Sequence, residues 1–438
     1  MRGKIRNQIN AFVRKDEGAS TVMALFFGFS MLMLSGYAID LSNAMAVRTQ
    51  MQVAADAAAH AAILEREFGT PETAVAKALE IAERNMPADR HGFVIEAQDV
   101  QFGDYDPATT VFTPDPDATG AVRVIARRTT DRGNPHGNYF LALAGIETMD
   151  IVTGSVFVTY RPTCLREGFV AELEVDLQSN NEYRAGFCIH SNNTISLNNN
   201  NIFETGTVVS LSDVDNLELP NSGYEQNEGL REALREGTWN IRILERIDNI
   251  IAGLYAMDDR FVPDYILGSG MLTLSTTNLN ASHFTSGRVH TYDCPTSNGR
   301  LSFANGTILR DVVLVTDCQI KMGNQMVLEN VVIATTNTAS KSIYAPQDLQ
   351  IGRDDNCAEG GGSQLITMGS VDVAGNLKMY GGQILAKVDV SFAANAGGLH
   401  GAAIVAGGTI SGTSNMDMGF CGSGMENNFM AEYFRLAI

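Results

Sequence analysis

Val312-Val313-Leu314-Val315-Thr316 recurs nineteen residues later as Val331-Val332-Ile333-Ala334-Thr335. Ile384-Leu385-Ala386 recurs twenty residues later as Ile404-Val405-Ala406, and Val390-Ser391 returns at the same offset as Ile410-Ser411. Near-regular repetition at this length marks stacked units, each too small to bury its apolar side alone. Short apolar runs separated by Asn, Gly, Ser and Asp fit coils of two or three strands with turns at the corners. Parallel pairing between coils would satisfy the backbone and align like side chains. The expectation is a parallel β-helix (solenoid) over residues 162–438, its handedness left open. A β-sandwich also suits Asn-rich turns, but not a step of 19–20 residues.

Working outward, Asn192-Asn193 and Asn198-Asn199-Asn200-Asn201 flank Ile195-Ser196-Leu197. Corner asparagines tolerate left-handed backbone angles and form amide ladders along a stack. Residues 229–257, GLREALREGTWNIRILERIDNIIAGLYAM, interrupt the texture, with Ile241, Leu244, Ile247, Ile251 and Leu254 on one helical face. A helical insertion packed on the first coils is expected there, anchored by the single tryptophan, Trp239. The apolar segment from Asn428 to Ile438 is expected to cap the open end. Six cysteines, Cys164, Cys188, Cys294, Cys318, Cys357 and Cys421, allow fifteen pairings. Two pairs share a spacing of 24 residues, which favours Cys164–Cys188 and Cys294–Cys318 and leaves Cys357 for Cys421. Disulfides would place this part of the chain in an oxidising compartment.

At the other end, Ala19 to Ile39 reads ASTVMALFFGFSMLMLSGYAI, 21 residues whose one ionisable group is the Tyr37 phenol. As a helix it covers about 31 Å, the thickness of a bilayer core. Signal sequences have shorter apolar regions, so a retained transmembrane helix is expected over 19–39. Arg2, Lys4, Arg6, Arg14 and Lys15 precede it and Asp40 follows. That asymmetry puts the basic tail, residues 1–18, in the cytoplasm and the bulk of the chain outside. No Pro or Gly interrupts residues 40–66, so the helix is expected to continue. Ala54, Ala55, Ala58, Ala59 and Ala62 either serve helix propensity or let a partner helix approach closely. Thr70-Pro71-Glu72 opens a second helix. Strand-like runs at 100–105, 110–113, 121–126 and 149–160 make residues 67–161 a small α+β domain. His91 and His136 have no ligand-spaced partner and are expected at the surface. The fold class is therefore mainly β with an α+β N-terminal part.

Three features occur in order: Arg14-Lys15-Asp16-Glu17-Gly18, a span ending Tyr37-Ala38-Ile39-Asp40, and the string from Val47 to Ala59, VRTQMQVAADAAA. Together they resemble the N-terminal domain of TadG-like Tad (Flp) pilus-assembly proteins, over residues 14–62. The resemblance implies a protein anchored in the bacterial inner membrane and facing the periplasm. Its partners would be other membrane proteins of a pilus machine of the type IV filament and type II secretion group. Two departures stand out. The fifth residue after Gly18 is Met23, where cleaved pilins of this system carry Glu. The metal site of the von Willebrand A-type domain found in many TadG-like proteins is absent, its nearest string being Asp40-Leu41-Ser42-Asn43-Ala44.

The formal net charge of −19 excludes bulk electrostatic binding to nucleic acid. No Gly-x-Ser-x-Gly elbow, P-loop or CxxC pair occurs, and no cofactor or metal is expected. Arg353, Asp354, Asp355 and Glu359, beside Cys357 and Gly360-Gly361-Gly362, form the densest charged cluster. It is a candidate ligand or calcium site, or simply a solvated loop between coils. Cys188 and His190 share one strand face without a second ligand pair. The first reading is a non-enzymatic scaffold of pilus assembly with no catalytic residues. The alternatives are a surface-exposed minor pilin or adhesin binding a glycan, and a tethered polysaccharide-acting enzyme using the 354–359 carboxylates.

Overall fold

A computed structural model describes residues 17–296 and 298–437. The tail bearing Arg2, Lys4, Arg6, Arg14 and Lys15 lies outside the described residues. The chain is mainly β, with a long apolar N-terminal helix and one large sheet. It divides into two units, Met1–Tyr160 with Glu432–Ile438, and Arg161–Ala431.

In the first unit, the unbroken run of helix formers gives α1, Glu17–Arg66, 50 residues long. The next helix, α2, spans Pro71–Asn85, where the Thr70 side chain accepts from the Thr73 N–H and proline occupies the first turn. Five antiparallel strands follow in the spatial order Val111–Pro114, Val100–Asp106, Ala121–Arg128, Ile151–Tyr160 and Tyr433–Leu436. Val122, Val124, Ala126 and Phe102 line the sheet face that packs on the alanines of the helices. Two expectations are corrected. Tyr433–Leu436 pairs with the strand from Ile151, Tyr433 opposite Tyr160, so it completes this sheet and caps no stack of coils. His136 is buried at 6% exposure, with Nε2 3.4 Å from the Asn43 amide, whereas a surface histidine was expected.

The second unit is built on a 24-stranded sheet whose pairings are parallel. Each strand pairs with one a repeat further on, Val312 to Thr316 opposite Val331 to Thr335. The 19-residue echo in the sequence is therefore the register of the sheet. One interior column runs Leu314, Ile333, Leu365, Ile384 and Ile404. It then continues not forward in sequence but into Phe169, Ile189 and Val209. A second column does the same, from Val371 through Val390 and Ile410 to Val175 and Ile195. A third runs Met379, Leu399, Met418, Tyr183 and Phe203. The chain thus enters the sheet in its middle. Pairing proceeds to one end at Leu234–Glu236, begins again at the other end at Met271–Thr273, and returns until Ala403 to Ala406 pairs with Gly168–Ala171.

The segment between those ends carries the chain back. Trp239 stacks on His190, the Lys387 ammonium donates to the Leu244 carbonyl at 2.9 Å, and the Gly268 N–H donates to Gly287 at 3.0 Å. Between them α3, Ile247–Ala256, buries Ile247, Ile250, Ile251 and Leu254. They join an outer column of Val170, Val405, Leu385, Ile366, Ala334 and Val315, with Val289 and Val313 in the same cluster. The expected helix over 229–257 is shorter because Leu234–Glu236 pairs as a strand on Val209–Leu211. All five residues predicted on its apolar face are nevertheless buried.

Polar groups bridge the strands that meet in the middle of that sheet. Arg184 contacts Glu204 at 2.8 Å and Asp417 at 2.9 Å. Asn181 Oδ1 accepts from the Met416 N–H, Asn201 Oδ1 from Asn181, and Asn227 Oδ1 from Asn201. Of the asparagines expected to form an amide ladder, Asn201 thus joins a ladder of side-chain oxygens on backbone N–H groups with Asn181 and Asn227. The cysteines form the two pairs favoured by their equal spacing, Cys164–Cys188 and Cys294–Cys318, and the remaining pair, Cys357–Cys421.

Candidate functional site

Along α1 the large apolar side chains before Asp40 face outward, with Phe26, Met31 and Leu34 at 69–71% exposure. Among the described residues this is the one helix long and apolar enough to cross a membrane. The Ser30 hydroxyl donates to the Phe26 carbonyl at 2.8 Å, which satisfies it within the helix. The pattern changes at Asp40, itself buried, whose carboxylate accepts from the N–H groups of Tyr139 at 3.0 Å, Phe140 at 2.9 Å and Leu141 at 2.7 Å. These groups open the short helix Leu141–Ala144, where N–H groups have no internal acceptor. The sequence marked Asp40 only as the end of the apolar run, since its partners lie about a hundred positions away.

Ala54, Ala55, Ala58, Ala59 and Ala62 are fully buried, in one cluster with Ala74, Ala78 and Ala82 of α2. The helix that approaches this alanine face is the chain's own α2. Ala58→Leu is therefore expected to destabilise the first unit by about 1–3 kcal/mol through overpacking. Urea unfolding of the full chain in detergent reads this. An unchanged midpoint would mean that the face is open.

The charged cluster is spent within its own loop. The Arg353 Nε donates to Asp355 Oδ2 at 2.6 Å, and Asp355 Oδ1 accepts from the Ala358 N–H at 3.0 Å. Ser423 donates to the Cys357 carbonyl, and the Cys357–Cys421 bond closes the loop. Asp354 and Glu359 face solvent. The structure thus brings Arg353 and Asp355 together and leaves the other two apart from them. Cys294, Asp317 and Cys318 place ligand-type atoms within 4.8 Å of one another, but the disulfide between the cysteines removes their thiolates. Cys188 likewise is bonded to Cys164, so it forms no metal pair with His190.

His190 instead fixes the returning segment. It is buried, stacks on Trp239 at 4.2 Å, and faces Ser210 Oγ at 3.1 Å and Asn192 Oδ1 at 3.0 Å. Asn192 also holds both the N–H and the carbonyl of Trp239. Burial lowers the His190 pKa below its ordinary value of 6.5, against the opposing hydrogen bond that Asn192 Oδ1 accepts from the ring. The unfolded chain then binds more protons than the folded one below pH 6.5. Stability is complete above that value and falls as pH drops towards the lowered folded value. The urea midpoint should therefore be lower at pH 5 than at pH 7.5, and His190→Gln should flatten the dependence. An equal pH dependence in the variant would remove His190 as its source.

Residues 168–422 match a family described as a domain of unknown function, DUF7867. Residues 18–76 match the Flp pilus-assembly TadE/G-like family, and residues 57–156 the Tad-like Flp pilus-assembly family. No curated protein and no solved structure matches the chain. The matches at residues 18–76 and 57–156 cover the outward-facing apolar helix, its alanine face and the sheet behind it, and the third covers more than half the chain. With both parts accounted for, the chain belongs to the DUF7867 family through its second unit, and its N-terminal part carries the TadE/G-like and Tad-like domains of Flp pilus assembly, which support a TadG-like Tad pilus-assembly protein.

Proposed function

We propose that this protein is a non-enzymatic, single-pass component of the Tad pilus-assembly machinery. Residues 19–39 span the inner membrane with the N-terminus in the cytoplasm, and the bulk of the chain is periplasmic. The second unit acts as a parallel β-solenoid, a stiff scaffold or binding body for other assembly proteins. The observation that carries the reading is the fully outward-facing apolar run ending at Asp40, on a helix matched by the TadE/G-like family. Three disulfides support an oxidising compartment, and the column-by-column register supports the solenoid. In the loop at 353–359, Arg353 pairs with Asp355 and Asp355 also accepts from the Ala358 N–H, which favours a structural role over catalysis.

The test is complementation. Cells lacking the gene are expected to lose assembled pili. The full chain should restore them, and a version with residues 1–39 replaced by a cleavable signal sequence should not. Full restoration by the untethered version would overturn the anchoring role. Normal pili in the deletion strain would overturn the assembly role.

A further inference from the structure

We propose that the segment Tyr139–Ile146 is a second membrane contact, an apolar loop seated in the lipid interface where α1 leaves the bilayer. The inference rests on the membrane-spanning reading of α1 and adds to it a surface that the span alone does not require. Tyr139-Phe140-Leu141-Ala142-Leu143-Ala144-Gly145-Ile146 contains no charge. Its large side chains point away from the unit's core, with Leu143 at 82%, Tyr139 at 71% and Ile146 at 51% exposure. A rigid stem presents them. His136–Gly137 pairs antiparallel with Thr148–Met149, the Asn138 amide donates to the Ile146 carbonyl at 3.0 Å, and the Ile146 N–H donates to Leu141.

Its position is fixed against the helix. Phe140 lies so close to Gly36 that a Cβ there would come within 2.6 Å of the Phe140 Cβ. Asp40 holds the backbone N–H groups of three successive loop residues. The loop therefore sits level with residues 36–40, the turn at which the apolar surface of α1 ends. Its exposed side chains continue that surface sideways, beside Tyr37 at 49% and Ile39 at 51% exposure. Tyr37, Tyr139 and Phe140 make an aromatic group at one level, which is what the boundary between hydrocarbon and headgroups favours. An uncharged apolar tip at that depth fits a lipid surface. The buried Asp40 is the latch that holds tip and span in register.

The test uses full-length protein in liposomes of phosphatidylethanolamine and phosphatidylglycerol. No free cysteine occurs among the described residues, so Leu143→Cys supplies a thiol for an environment-sensitive fluorophore at an exposed position. Phe26→Cys, within the span, and Val111→Cys, at an exposed strand at 53%, are labelled in parallel. With lipid-borne quenchers placed near the headgroups and along the acyl chains, the label at position 143 should lose emission to the headgroup quencher and the label at 26 to the acyl-chain quencher. The label at 111 should be unaffected. Loss at 26 without loss at 143 would overturn the loop contact and leave the span intact. No loss at either 26 or 143 would overturn the span, and the loop contact with it. Quenching at 143 that appears only when other assembly proteins are added would assign the loop to a protein partner and overturn the lipid assignment.

Discussion

Phe169→Ala is expected to destabilise the second unit by about 3–5 kcal/mol, the range for deleting a fully buried phenylalanine. Phe169 has no exposed surface, and its ring meets Phe187 at 5.0 Å and Phe392 at 5.5 Å, both edge-on. Its strand, Gly168–Ala171, pairs on one side with Ala403 to Ala406 and on the other with Cys188 to Ser191. If coils stacked only in chain order, position 169 would lie at an open end and the truncation would cost far less. Urea unfolding, with Ile384→Ala as a comparison in the middle of the same column, measures the difference. A loss below about 1 kcal/mol at Phe169 alone would show that the last coil does not rest on the first.

Reducing the disulfides should have an effect of similar size. Closing loops of 24 and 64 residues removes chain entropy worth about 3 kcal/mol and about 4 kcal/mol respectively from the unfolded state. Cys357–Cys421 closes the longest loop and joins the segment before Ser363 to the one that follows the last coil. The double variant Cys357→Ala, Cys421→Ala should therefore lower the urea midpoint more than the pair Cys294→Ala, Cys318→Ala. Gel mobility should also differ with and without reductant. Equal midpoints in oxidised and reduced protein would refute the contribution assigned to the bonds.

Local signals were the legible ones. The echo of Val312–Thr316 at Val331–Thr335 set the register of the sheet because parallel stacking places like side chains in one column. Equal spacing of 24 residues found two disulfides, since a cysteine one coil away returns to a neighbouring position. The meeting of Ile404 with Phe169 was not legible. A period shows which residues share a column, but every coil in a column carries the same apolar signature, so the order of coils leaves no trace. Asp40 was missed for a related reason. Its acceptor role depends on Tyr139 to Leu141, and nothing in either string announces the other. Tyr433–Leu436 alternates over too few residues to separate an edge strand from an apolar cap. The loop at 353–359 was a dense cluster in sequence, yet folding turned its arginine and one aspartate onto each other.

In the proposed topology a hydrocarbon-spanning tether leaves the second unit on the far side of the membrane from the basic tail. Leu267, 89% exposed in that unit, gives a direct probe. Leu267→Cys should react with a membrane-impermeant maleimide in intact spheroplasts, and the labelled chain should stay in the membrane pellet after alkaline carbonate extraction. Labelling only after lysis, or release of the chain into the carbonate supernatant, would contradict it.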